Sequence, residues 1–148
     1  MDKRLVRAAG VVTALVATIS LALASSALAV NTSKLAGTIA GPYAVGATVV
    51  DANPALGDHL HFDVNYAGFK AFVAPYVYAA CYQSGVQVYG ELAPASAGVA
   101  DFVRFGYDSQ WSASGGSANC TASLVAYAGL THGGTLATLS TVTFTAHG

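Results

Sequence analysis

Beyond residue 29 no stretch of the chain sustains a helical period. Short runs of β-type residues follow one another instead, each cut off by a turn signal. Runs this short bury their apolar faces only by stacking one sheet on another, which leaves few folds open. The clearest run is His59–Tyr66. Leu60, Phe62, Val64 and Tyr66 supply an apolar face, and His59, His61, Asp63 and Asn65 share the other. Further strands are predicted over Leu35–Ile39, ended by Gly41-Pro42, and over Ala47–Val50, ended by Asp51-Ala52-Asn53-Pro54. Phe72–Tyr82 turns at Gln83-Ser84-Gly85 into Val86–Tyr89, and Asp101–Tyr107, Asn119–Tyr127 and Ala137–Ala146 complete the set. Seven or eight strands at this spacing, with no helices between them, predict an all-β antiparallel sandwich. A parallel sheet would need long crossover connections, and no internal repeat points to a solenoid or propeller.

The N-terminus reads differently. Lys3, Arg4 and Arg7 precede an uncharged run rich in Ala, Val and Leu, which closes on Ala27-Leu28-Ala29. Basic, then apolar, then small-x-small is the order of a secretory signal peptide, here residues 1–29 with cleavage after Ala29. A membrane anchor is the weaker reading, because the apolar run is at the low edge of spanning length and no basic flank follows it. Residues 30–148 are then one exported domain of common size, with no membrane span after cleavage. Its cations are Lys34, Lys70 and Arg104; its carboxylates are Asp51, Asp58, Asp63, Glu91, Asp101 and Asp108. Cations so few and scattered form no basic patch, which removes nucleic acid from the expected partners. The surface must be built largely of hydroxyls, amides, Gly, Ala and Tyr.

Cys81 and Cys120 are the two cysteines. Export places them in an oxidising compartment, so one disulfide is expected. Closing a loop of that length stabilises by at most about 4 kcal/mol on the loop-entropy argument. Cys81 shares its parity with Val77 and Ala79, and Cys120 with Ala122, Leu124 and Ala126. Both sets are small and apolar, so the bridge is predicted to lie buried between these two strands. The segment CYQSGVQVY, Cys81–Tyr89, and the pattern W-x-x-x-G-G-x-A-x-C-T-A-x-L from Trp111 to Leu124 resemble small secreted bacterial immunoglobulin-like domains, and Val142-Thr143-Phe144 matches the end of their last strand. The resemblance covers about Gly57 to Ala146. It implies an immunoglobulin-like sandwich with a disulfide and no particular activity. The antibody arrangement, with its tryptophan on the third strand, is not matched, since Trp111 stands shortly before the second cysteine.

Three groups of residues invite a functional reading. His59 and His61 lie about 7 Å apart on one strand face, a spacing at which two imidazoles can converge on zinc or copper. Asp63 is too far along a straight strand to join His59, and His132 and His147 have no spacing that recruits them. The solvated face of a strand is therefore the favoured reading and a metal at His59 and His61 the weaker one. Asp51, Asn53 and Asp58 offer oxygens to calcium, but Phe62 stands where an EF-hand loop would need its last ligand, so a plain turn is expected. The third group is aromatic. With Cys81 inward, Tyr76, Tyr78 and Tyr82 face outward, and Tyr89 is read as joining them. Such a strip stacks on sugar faces or anchors a protein interface. The competing reading is that a loop or the N-terminal segment covers the rings, or that they only pack across strands.

Catalysis finds little support. G-x-S-x-G, H-E-x-x-H and phosphate-loop patterns are missing from the sequence, and its carboxylates are scattered. Asn31-Thr32-Ser33 and Asn119-Cys120-Thr121 match the glycosylation sequon, and the bacterial resemblance makes both coincidental. The expectation is a secreted, non-catalytic binding module without a cofactor. It would act outside the cell or at its surface on an extracellular protein or a polysaccharide. One alternative is a structural envelope protein that self-assembles through exposed strand edges; a second is a small metal-binding or enzymatic secreted domain.

Overall fold

The computed structural model describes residues 35–69, 73–127 and 135–148, so the predicted signal peptide lies outside the described residues. Along the chain run β1 (Ala36–Ala44), β2 (Leu60–Ala67), β3 (Ala74–Gln83), β4 (Val86–Pro94), β5 (Val99–Phe102), α1 (Gln110–Ser114), β6 (Ala118–Tyr127) and β7 (Thr135–Ala146). The strands form two antiparallel sheets, one ordered β1-β2-β5 and the other β4-β3-β6-β7. The chain changes sheet between β2 and β3, between β4 and β5, and between β5 and β6. Period-two patterning produces this directly: Leu60, Phe62 and Val64 of β2 are buried while His59, Asp63 and Asn65 are exposed. Ile39, Ala100 and Phe102 complete the inner face of the smaller sheet, and Val77, Ala79, Cys81, Cys120, Ala122 and Leu124 oppose them. Phe62 meets Phe102 edge-on at 5.6 Å and Phe144 at 5.8 Å, joining the sheets through aromatic contact.

Cys81 and Cys120 stand directly opposite one another on β3 and β6, bonded and buried. The bridge thus joins neighbours within one sheet. Trp111 belongs to α1, a helix too short to show a period in the sequence. Its ring is fully buried edge-on to Phe105 at 5.9 Å, and its Nε1 donates to the Gly116 carbonyl at 2.8 Å.

Several strand boundaries differ from those predicted. β1 does not stop at Gly41-Pro42 but continues to Ala44 through a register shift between Ala40 and Tyr43. Pro42 sits inside that irregularity, where no ladder N–H is needed. The predicted strand over 47–50 is a turn region with Val49 and Val50 exposed, since no neighbouring strand is there to pair with it. β5 ends at Phe102, and the residues after it turn so that Phe105 reaches the core. Among the described residues no helix is long and apolar enough to cross a membrane.

Candidate functional site

The outer face of the four-stranded sheet is built in rows across β4, β3, β6 and β7. Gln87, Tyr82, Asn119 and Thr145 form one row, and Gly90, Ala80, Thr121 and Thr143 the next. Leu92, Tyr78, Ser123 and Thr141 follow, then Pro94, Tyr76, Val125 and Thr138. The parity of Cys81 therefore sets Tyr76, Tyr78 and Tyr82 on the outside, as the sequence predicts. Tyr76 and Tyr78 are half-buried and Tyr82 is 36% exposed. None of these rows contains Asp, Glu, Lys, Arg or His, and the β6 and β7 positions are mainly hydroxyl side chains.

Gln87 ties the tyrosines together. Its Nε2 donates to the Tyr78 hydroxyl at 3.1 Å, and the Tyr82 hydroxyl donates to its Oε1 at 3.3 Å. Gly90 makes room for this bridge. A Cβ there would meet Gln87 Nε2 at 2.4 Å and the Tyr78 hydroxyl at 2.8 Å. One carboxamide thus restrains two rings before any ligand arrives, which lowers the ordering cost of binding.

Tyr89 does not belong to the strip. It is 7% exposed, stands opposite Cys81, and packs edge-on to Phe105 at 4.9 Å. The cause is one residue. The β3–β4 hairpin closes on Ser84 and Gly85, both with positive φ as a two-residue turn of this hand requires. Gln87 then pairs with Tyr82 but Tyr89 with Cys81, so Val88 is an inserted residue that reverses the parity of everything after it. The Tyr89 hydroxyl donates to Glu91. Burial, reinforced by the Glu91 hydrogen bond and charge, pushes its pKa far up, against a smaller opposing effect of a hydrogen bond from the Gly106 backbone. In its place the fold supplies Tyr127, whose ring meets Tyr76 edge-on at 5.1 Å. Tyr127 has the parity of Asn119, opposite to the core-facing Cys120, and that signal was available in the sequence.

Beside the tyrosine row lies a shallow pocket of about 420 Å³ lined by Tyr82, Asn119, Thr121, Thr143 and Thr145 together with Cys120 and Phe144. The hydroxyl ladder continues along the sheet, with Ser123 Oγ and Thr141 Oγ1 2.9 Å apart.

The other candidate residues are spread over the rest of the surface. His59 Nε2 lies 3.8 Å from an Asp101 oxygen, an exposed pairing of the kind that contributes little, and the half-buried His61 places its Nε2 3.9 Å from the exposed Asp63. His61 also stacks on Tyr43 at 5.2 Å. Among the described residues no three His, Cys, Asp or Glu side chains come together to hold a metal ion. In the loop before β2, Asp51 accepts the Asn53 backbone N–H at 2.9 Å and Asp58 accepts that of Ala55 at 2.7 Å. Those carboxylates serve as turn caps. Glu91 and Asp108 line a groove of about 400 Å³ along the β4 edge. Lys34, Lys70, Asn31 and His132 lie outside the described residues.

Comparison with known proteins gives no match to a family model, to a curated protein or to a solved structure.

Proposed function

We propose that the chain is an exported, immunoglobulin-like binding module, non-catalytic, which recognises an extracellular or cell-envelope ligand through the outer face of its four-stranded sheet. Strand order supports the immunoglobulin-like reading. Lettered in the usual way, β1, β2 and β5 correspond to A, B and E, and β4, β3, β6 and β7 to C′, C, F and G. The bridge departs from that pattern, since it joins C to F instead of B to F. A buried disulfide supports an oxidising, extracellular setting, with residues 1–29 as the signal that leads there.

The observation that carries the binding reading is the row Tyr76, Tyr78 and Tyr82, partly exposed, with Tyr78 and Tyr82 bridged by Gln87, on rows that hold no charged side chain among the described residues. Aromatic rings held in place bring contact area at little entropic cost. The test is a pull-down of the exported chain on cell-envelope polysaccharides and whole-cell extract, against the Tyr76/Tyr78/Tyr82→Ala variant. The Tyr82→Ala variant, at the most exposed of the three rings, guards against misfolding of the triple one. Retention lost in both variants, with the circular dichroism of Tyr82→Ala unchanged, is the expected result. Equal retention of all three proteins would make the tyrosines packing residues.

One observation favours the self-assembling alternative. β7 is a long edge strand without charge or proline, regularly paired from Ser140 to Ala146 with its two irregularities nearer its start, whereas β4 at the opposite edge has Glu91 and Pro94 as well as a bulge, the devices that block strand addition. Concentration-dependent elution in size-exclusion would shift weight to it.

A further inference from the structure

We infer that the sheet face takes a neutral polysaccharide, and that the pocket beside Tyr82 is the subsite for one of its sugar rings. The inference rests on the binding reading above and assigns its ligand class.

A ligand for this face meets two kinds of surface at once. Along β3 it meets rings: Tyr76 to Tyr82 spans about 20 Å of strand, room for several sugar units in line. Along β6 and β7 it meets short uncharged side chains that both donate and accept hydrogen bonds, Asn119, Thr121, Thr143 and Thr145. A pyranose matches both, with an apolar ring face bordered by hydroxyls that also donate and accept. A pocket of about 420 Å³ lies within the size range of small-molecule sites, and Tyr82, Asn119 and the threonines line it together with Cys120 and Phe144.

Charge decides between ligand classes. An acidic polysaccharide would lose water around its carboxylates on docking and find no cation on these rows in exchange, and a basic peptide would find no anion. Such interactions are unfavourable unless paired. Protein partners are disfavoured for a related reason. The strongest protein anchors are buried aromatic and arginine side chains set in apolar pockets, whereas this pocket has Asn119 and the hydroxyl-bearing Thr121, Thr143 and Thr145 in its wall. Gly90, between the rows of Tyr78 and Tyr82, leaves a depression on the β4 side that Gln87 fills. The pocket opens instead on the β6 and β7 side of Tyr82.

The test uses the full chain expressed for export and purified from the medium. Affinity electrophoresis is run through gels containing a neutral β-glucan, a neutral α-glucan, a neutral galactomannan or polygalacturonate. At least one neutral polymer should retard the protein, and polygalacturonate should not. Tyr82→Ala should weaken that retardation about tenfold. Thr143→Val, which keeps the shape and removes one hydroxyl, should weaken it roughly threefold to tenfold. Retardation by polygalacturonate alone, or by a neutral polymer equally in Thr143→Val and Tyr82→Ala, would overturn the assignment. If no polymer retards the chain while the pull-down still shows tyrosine-dependent retention, the ligand class is wrong and the binding reading stands. If neither assay shows binding, both fall.

Discussion

Tyr82 and Tyr89 are the same residue type on the two strands of one hairpin, and their surroundings make them chemically different. Tyr82 presents its ring to solvent. Tyr89 is buried against Phe105 with its hydroxyl donating to Glu91. Ionising Tyr89 would place an anion in a dry site beside a carboxylate, so the folded protein holds that proton far above the pH at which a free tyrosine releases it. The sign of the consequence is fixed by linkage. Above about pH 10 the unfolded chain has lost the proton and the native chain has kept it, so unfolding releases a proton and stability falls as pH rises. Below that value the stabilisation is fully present. The slope from this one group approaches about 1.4 kcal/mol per pH unit. Tyr89→Phe should cost about 1 kcal/mol near neutral pH, the net value of a hydrogen bond, and should remove that alkaline slope. Urea unfolding of both proteins from neutral pH to pH 11 checks it: the two stability curves should converge above pH 10, and parallel curves would refute the assignment.

At the scale of the element, parity made most of the fold legible and one inserted residue defeated it. β2 alternates throughout, and β3 and β6 do so apart from Ala80 and Val125, which are buried on the outer face, so the burial of Leu60, Phe62, Val64, Val77, Ala79, Cys120, Ala122 and Leu124 could be read from the sequence alone. So could the outward row of Tyr76, Tyr78 and Tyr82. Tyr89 could not be placed, because nothing in Val86-Gln87-Val88-Tyr89 distinguishes a regular strand from one with an extra residue; both are runs of good strand formers. The Gln87 bridge and the threonine pocket were out of reach for another reason. They depend on which strands are neighbours, and strand order is set by long-range packing. Trp111 was legible as a landmark but not as a helical residue, since five residues are less than two turns. The bulge supplies its own prediction. Inserting one alanine between Val88 and Tyr89 would reverse the alternation once more and turn Tyr89 and Ala93 outward, exposing the core they cover. That variant should unfold at clearly lower urea concentration, or fail to fold, with the near-ultraviolet dichroism of the buried aromatic cluster lost. A variant as stable as the parent would show that the bulge has no part in setting which way β4 faces.

The whole molecule presents two unlike sheets to its surroundings. The outer face of the three-stranded sheet holds His61, Asp63 and Asp101, with His59 beside them. Asp51, Asp58, Asp108 and Arg104 lie in the loops, and Glu91 at the β4 edge. Across the sandwich, the outer rows of the four-stranded sheet contain tyrosine, threonine, serine, asparagine, glutamine and apolar or small residues, none of them charged. Charge is thus segregated from the candidate site, and the segregation decides how binding responds to solution conditions. A contact made by charged groups weakens steeply as salt shortens the Debye length from about 30 Å at 0.01 M to about 3 Å at 1 M. A contact made by ring stacking and neutral hydrogen bonds has no such term. Retention on a neutral ligand should therefore hold across that range of salt, and equally from roughly pH 5 to 8, where histidine is the side chain that ordinarily changes charge and none stands on these rows among the described residues. Isothermal titration at low and high salt, repeated at both ends of the pH range, measures both. A binding constant that falls severalfold with salt, or that follows a single protonation between those pH values, would move the site to the histidine and aspartate face, where the residues able to produce such a response reside.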